Sequence, residues 1–182
     1  MKKLNLFIVF VIIFSFLPAE NVKTDTNLEE KLIDQSAYAG SPVAAGDEIN
    51  SYGTPMEAKT LVEDAIVFMH NIELEKAFSE FNQQNGNFHH KDLYIFVFDM
   101  DGNMISHGAE ESLIGKNLID LKDSAGKYFV KDFLELMSKS DNGWIEYYWR
   151  NYENQKVEMK LTYLKKFNKN LFVGCGAYQP RY

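Results

Sequence analysis

Tyr147 and Trp149 stand two positions apart in the apolar run Trp144 to Trp149, and Lys160 lies in the next such run, Val157 to Leu164. On an extended chain a spacing of two puts both rings on one face. There they form a shaped apolar wall, and a lysine on the neighbouring strand supplies a point charge suited to a carboxylate. Composition alone favours a plainer reading, in which the rings are core and Lys160 is a solvated strand-end residue. His107, just before Gly108, carries an imidazole that can donate a hydrogen bond to an anion or report pH near neutrality. Tyr94 and Phe96 share one side of a strand, where a phenol offers its hydroxyl to a ligand and a phenyl ring closes the floor. Tyr163 is a third tyrosine candidate, but an odd number of residues separates it from Lys160, so an unbulged strand turns the two in opposite directions.

Other chemistries fail on spacing. Asp99-Met100-Asp101-Gly102-Asn103 looks like the start of a calcium loop, but its glycine is misplaced for one and a hairpin turn explains it better. His89 and His90 are adjacent and diverge on extended chain, and no Cys or His has zinc-finger spacing. The sequence has no covalent haem motif, nucleophile elbow, phosphate-binding loop or metalloprotease helix. No enzyme, metal or cofactor is therefore expected. Cys175 is the single cysteine; no internal disulfide can form, and the Gly174-Cys175-Gly176 setting reads as a small buried side chain.

These candidates must be positioned by the elements around them. Thr54-Pro55-Met56-Glu57 joins a capping-box pair to a proline at the first helical position, and Ala58, Leu61, Ala65, Phe68 and Ile72 continue the helical period. Leu74, Ala77, Phe78 and Phe81 mark a second helix, which ends in the polar run Asn82 to Asn87. From Asp92 the period falls to two, and Leu93 to Phe98 reads as a strand apolar on both faces. Asp101-Gly102 offers two residues that tolerate positive φ for a tight hairpin to Asn103–His107. Residues 109–125 form an irregular excursion, Phe129, Phe133, Leu136 and Met137 a helix, and Trp144–Trp149, Val157–Leu164 and Leu171–Tyr178 three more strands, the last two joined by the Asn168-Lys169-Asn170 turn. The expected class is α+β: a PAS-like antiparallel five-stranded sheet with a long N-terminal helix on one face, the excursion on the other, and a pocket under the excursion.

The 182-residue chain opens with Met1-Lys2-Lys3 and an apolar run to Leu17, too short to span a bilayer comfortably, and reads as a secretory signal over residues 1–19. Residues 20–52 read as a linker that carries a brief helix, and residues 53–182 as one binding domain. After signal removal 17 basic residues face 26 acidic ones, a net charge of −9 that disfavours nucleic acid and anionic lipid. No integral span is expected after cleavage, and the expected location is periplasmic or secreted, with an uncleaved membrane anchor as the alternative.

Several runs resemble the single Cache domain family, above all its stand-alone exported members. They are Tyr52-Gly53-Thr54-Pro55, Asp92-Leu93-Tyr94-Ile95-Phe96-Val97, Ser106-His107-Gly108 and Leu113-Ile114-Gly115-Lys116-Asn117-Leu118, followed by Leu121-Lys122-Asp123, Gly143-Trp144 and Val173-Gly174-Cys175-Gly176. Tyr147, Trp149, Lys160 and Tyr163 fall in the same order and spacing, so the likeness covers residues 52–178. It departs at Arg150-Asn151-Tyr152-Glu153-Asn154, where an Asn-Pro turn is expected. The resemblance implies an extracytoplasmic sensor whose pocket takes small organic acids, amino acids or amines, and it tips the aromatic–lysine cluster and His107 towards a ligand role. The leading expectation is a small carboxylate held by Lys160 and His107. The alternatives are an amine held against Tyr147 and Trp149, and an exported docking subunit without a ligand. With no output domain in the sequence, a membrane receptor or kinase is the expected partner.

Overall fold

The computed structural model describes residues 52–179. The expected signal segment and all of the linker except Tyr52 lie outside the described residues.

Helix α1 (Pro55–Asn71) starts where its sequence dictates: the Glu57 N–H donates to Thr54 Oγ1 and the Thr54 N–H to Glu57 Oε2, with Pro55 in the first turn. It buries Ala58, Val62, Ala65, Ile66 and Met69. Helix α2 (Leu74–Phe81) follows and buries Ala77 and Phe81.

The expected strand Leu93–Phe98 is broken at Ile95. Its first part, β2 (Leu93–Tyr94), pairs with a two-residue strand that the sequence did not suggest, β1 (His89–His90), across a turn in which Lys91 takes a left-handed φ of 55°. Its second part, β3 (Phe96–Asp99), pairs with β4 (Met104–His107). The hairpin between β3 and β4 differs from the two-residue turn expected. Only Gly102 has a positive φ, the Gly102 N–H donates to the Asp99 carbonyl, and the Asp99 N–H donates to the Asn103 carbonyl. That is a three-residue loop with glycine in the left-handed position, and Asp99 Oδ1 closes it by accepting from the Asp101 and Asn103 N–H groups.

The excursion then crosses to α3 (Phe129–Lys139), and three long strands complete the sheet: β5 (Asn142–Arg150), β6 (Val157–Lys166) and β7 (Leu171–Gln179). The five-stranded sheet has the order β4-β3-β7-β6-β5 and is antiparallel throughout. It is the expected α+β, PAS-like architecture. At its centre, β7 is buried continuously from Phe172 to Tyr178 because both of its faces are covered. On one face Leu93, Ile95, Val97, Tyr163, Val173, Cys175 and Ala177 pack under α1 and α2. On the other, Tyr94, Phe96, Phe98, Tyr147, Leu164, Phe172 and Tyr178 pack under α3 and the excursion. The excursion is pinned at both sheet edges: the Gly115 N–H donates to the Met104 carbonyl of β4, and Asp123 Oδ2 accepts from the Tyr148 N–H of β5 at 3.0 Å.

Gly174 and Gly176 sit on the excursion face of β7 because neighbouring strands send large side chains across them. A Cβ on Gly174 would lie 2.2 Å from Phe96 Cζ, and one on Gly176 would lie 2.2 Å from Thr162 Oγ1 and 2.7 Å from Lys160 Cε. Gly174→Ala and Gly176→Ala are each expected to lower unfolding free energy by about 1–3 kcal/mol, the usual cost of overpacking. Urea titration is the check, and an unchanged midpoint in both variants would contradict this account.

Candidate functional site

Alternation along β6 turns Glu158, Lys160, Thr162 and Leu164 towards the excursion. In register with Lys160 stand Tyr147 on β5 and Tyr178 on β7, so its stem rises between two tyrosines over the space that Gly176 leaves. The side chain is fully buried, and among the described residues Nζ has no hydrogen-bond partner. It lies instead 3.8 Å from the centroid of the Tyr94 ring and 4.6 Å from that of Tyr178. Ring faces return up to about 2 kcal/mol each to a desolvated cation, against an effective penalty of several kcal/mol for taking an ammonium out of water. Compensation is incomplete: burial pushes the Lys160 pKa down to about 7, with the negative charge of Asp92 opposing the shift.

Asp92 is itself buried at the head of β2. Burial raises its carboxyl to about 6, against the Gly53 N–H, which donates to Oδ1 at 2.6 Å, and the charge of Lys160. A hydrogen-bonded group connects it to the β5–β6 turn: Asn151 Nδ2 donates to Glu158 Oε2 at 2.9 Å and reaches Asp92 Oδ2 at 3.5 Å. On the far side of Glu158, Oε1 accepts from the Tyr52 hydroxyl at 3.0 Å and from Asn154 Nδ2 at 3.1 Å.

The tyrosines form a directed chain. The Tyr178 hydroxyl donates its hydrogen to the Arg150 carbonyl at 2.7 Å, so in the 3.2 Å contact between the Tyr94 and Tyr178 hydroxyls Tyr94 is the donor. The hydrogen of Tyr94 is therefore committed. What this residue presents is its ring and an oxygen lone pair, rather than the donor expected from sequence.

His107 is held by the end of α2, where Asn82 Oδ1 accepts from the His107 N–H at 3.0 Å and from Ser106 Oγ at 2.7 Å. Its Nδ1 accepts from the Ala109 and Glu110 N–H groups at 3.3 and 2.8 Å, which places the proton of the neutral ring on Nε2. Burial, with the nearby charge of Lys160, pushes its pKa down to about 3. The ring is thus a fixed neutral Nε2–H donor, and the expectation that it reports pH near neutrality is not met.

The walls are aromatic. The Tyr147 ring stacks on Phe129 at 4.3 Å, Trp149 meets Phe129 edge-on at 5.4 Å, and Phe96 lies nearly parallel to Phe133 at 6.1 Å. Together with Tyr94, Phe98, Met104, His107 and Leu118 they enclose a cavity of about 10 Å³, room for about one water. Trp149 also lines an outer cleft of about 330 Å³ between the excursion and β5, bordered by Tyr152, Arg150 and Lys122, so this ring is the partition between inner cavity and surface.

Six of the seven residues singled out from sequence, Tyr94, Phe96, His107, Tyr147, Trp149 and Lys160, share this face. Tyr163 does not: it packs under α1 on the opposite face, its ring 4.9 Å from Trp144, as its odd spacing from Lys160 required. Cys175 is buried on that face as well, and burial pushes its thiol up to about 12. Tyr178, Tyr152, Asp92, Asn151 and Glu158 were missed. Tyr178 had a usable signal, because counting outward from the turn centred on Lys169 places it opposite Lys160.

The sequence model of the Cache domain (dCache_2) matches residues 60–181, and the chain belongs to this family. The described residues contain one such unit. A sensor histidine kinase of Rhizobium johnstonii, MctS, is 32% identical over 89 residues, 48% of this chain and 19% of the kinase; the chain thus spans about a fifth of that relative's length. Among solved structures, a methyl-accepting chemotaxis protein from Vibrio parahaemolyticus superposes with a TM-score of 0.60 at 24% identity, over 68% of this chain and 86% of that one. A Cache chemosensory domain solved to explain carboxylic acid recognition gives 0.60 at 19% identity, over 69% and 92%. The periplasmic sensor domain of a chemotaxis protein gives 0.54 at 20%, over 69% and 90%. The Cache domain of this chain thus has the fold of these chemosensory domains. No helix among the described residues is long and apolar enough to cross a membrane.

An incompletely compensated buried lysine costs stability. With its folded pKa near 7 and an unfolded value of about 10.4, the cost is full below pH 7 and shrinks as the pH rises from 7 towards 10. Lys160→Met is therefore expected to raise the Tm of the protein at pH 6.5 by about 4 °C or more, the equivalent of roughly 1 kcal/mol, with a smaller gain at pH 9. A lower Tm at pH 6.5 would show that the ammonium is a structural asset.

Proposed function

We propose that this protein is an extracytoplasmic sensor that reversibly binds a small organic carboxylate. The observation that carries the reading is Lys160 Nζ, a buried ammonium with two ring faces beside it and no acceptor among the described residues. A carboxylate would complete its coordination, and the Nε2–H of His107 would supply a second donor. Tyr94, Phe96, Tyr147 and Trp149 would enclose the tail, with Trp149 swinging aside to admit it from the outer cleft. The carboxylic acid recognition described for the Cache chemosensory domain of the same fold supports this chemistry. The alternative of an amine against Tyr147 and Trp149 is weaker, because one face of the Tyr147 ring is taken by Phe129 at 4.3 Å and the protein's own Lys160 stands in register with Tyr147.

In this reading residues 1–19 direct export and are removed, residues 20–52 link, and residues 53–182 bind. The bound state would be read by a membrane receptor or kinase; the likeness to a sensor histidine kinase supports the kinase.

A thermal-shift screen of residues 20–182 against short organic acids, amino acids and amines at pH 6.5 is the test. A ligand at about 100 times its Kd adds roughly 2.7 kcal/mol, equivalent to a Tm rise of about 10 °C, and Lys160→Met is expected to abolish the response to acids while folding normally. Retention of the acid response in that variant would remove Lys160 from the site. A response to amines alone would move the ligand to the aromatic wall, and no response to any compound would favour a docking module.

A further inference from the structure

We infer that the site takes its carboxylate together with one proton, which comes from solvent and is held on Lys160. The inference rests on the carboxylate reading above and adds what the surroundings of Nζ demand. The groups that face Lys160 are Tyr94 and Asp92 from β2 and its lead-in, His107 from β4, Tyr147 from β5, Glu158 from its own strand, Tyr178 from β7, and Tyr152 from the β5–β6 turn, with Cys175 behind β7 on the other face of the sheet. None of them is a hydrogen-bond acceptor for Nζ. Glu158 is occupied by Asn151, Asn154 and Tyr52, and Asp92 by the Gly53 N–H and Asn151.

The two nearby carboxylates are thus turned to other donors, and the ammonium is stabilised only by ring faces and by the more distant charge of Asp92. Such an amine loses its proton readily, whereas an ion pair with a ligand carboxylate holds it. The balance is a neutral amine, a carboxylate and a proton giving an ammonium–carboxylate pair, with one N–H bond formed and none broken in the ligand. His107, pushed down to about 3, and Cys175 and Tyr152, pushed up to about 12, do not compete for this proton. Asp92, near 6, takes part only on the acid side of neutrality. Above pH 7 the site therefore responds to the product of anion and proton concentrations, which is to say to the free acid.

Isothermal titration of the protein with sodium acetate and sodium propionate at pH 8, in HEPES and in Tris, whose ionisation enthalpies differ, counts the protons taken up. Uptake close to one is expected, with affinity level from pH 6 to 7 and falling about tenfold per unit above it. Asp92→Asn keeps an acceptor for the Gly53 N–H but removes the charge that supports the ammonium, so it should move the break in the affinity profile below pH 7. A merely structural Asp92 would leave the break in place. Binding at pH 8 with no proton uptake and a flat profile to pH 8.5 would overturn this inference and leave the carboxylate reading standing. Failure of both acids and of every carboxylate in the thermal-shift screen to bind at pH 6.5 would overturn both.

Discussion

A lysine side chain buried with aromatic faces and, among the described residues, no hydrogen-bond acceptor constrains everything around it. Because Nζ cannot reach water, its stem must run through the sheet's interior, and this is possible only where the central strand gives way: Gly176 lies beneath the stem and a Cβ there would collide with it. Because the ammonium is served by ring faces, tyrosines must converge on it from two other strands, Tyr94 from β2 and Tyr178 from β7. Their hydroxyls need partners of their own in a region without solvent, and the run from Tyr94 through Tyr178 to the Arg150 carbonyl supplies them. The hairpin that carries Lys160 thus also terminates the hydrogen-bonded chain of the rings that enclose it.

The two faces of the sheet divide the work. Under α1 and α2 the packing is closed and almost wholly apolar, with Tyr163 and Cys175 among its members. Under the excursion, polar groups of several kinds sit among phenyl rings: a lysine, a neutral histidine, buried carboxylates and tyrosine hydroxyls. Hydrophobic burial on the helical face holds the sheet, which leaves the other face free to carry groups whose burial is costly.

The architecture was largely legible in the sequence because periodicity and capping are local. Thr54 to Glu57 fixed the start of α1, and the alternation in the last three strands gave their faces, including the opposition of Lys160 and Tyr163. The break at Ile95 and strand β1 were not legible, since Leu93 to Phe98 is uniformly apolar and the pairing partner is a histidine pair of no periodic character. The site was legible in its aromatic and basic parts only. Asp92, Glu158 and Asn151 converge from places 59 and 7 residues apart in sequence, and a single acid in a chain with 26 of them gives no sign that it is buried. The Asp101-Gly102 hairpin shows the same limit on a small scale: the residue types announced a turn, but the loop length was decided by the Asp99 side chain, which accepts from two backbone N–H groups.

Asp92 joins the chemistry of the pocket to the geometry of the helix. One of its oxygens receives the Gly53 N–H at 2.6 Å, immediately before the Thr54 cap of α1, while its charge supports the ammonium of Lys160. A hydrogen bond to an ionised carboxylate is roughly twice as strong as one to a neutral acceptor, so the hold on the start of α1 depends on the charge state of Asp92. That charge state depends in turn on what faces it across the pocket. An anion placed against Lys160 takes over part of the compensation that Asp92 supplies and raises the cost of keeping Asp92 ionised. The Tyr52–Glu158 bond anchors the same short segment to the start of β6, beside the end of β5 that carries the Arg150 carbonyl at the end of the tyrosine chain. Charge at one buried nitrogen is therefore linked, through two carboxylates and two tyrosines, to the few residues from which the long helix begins.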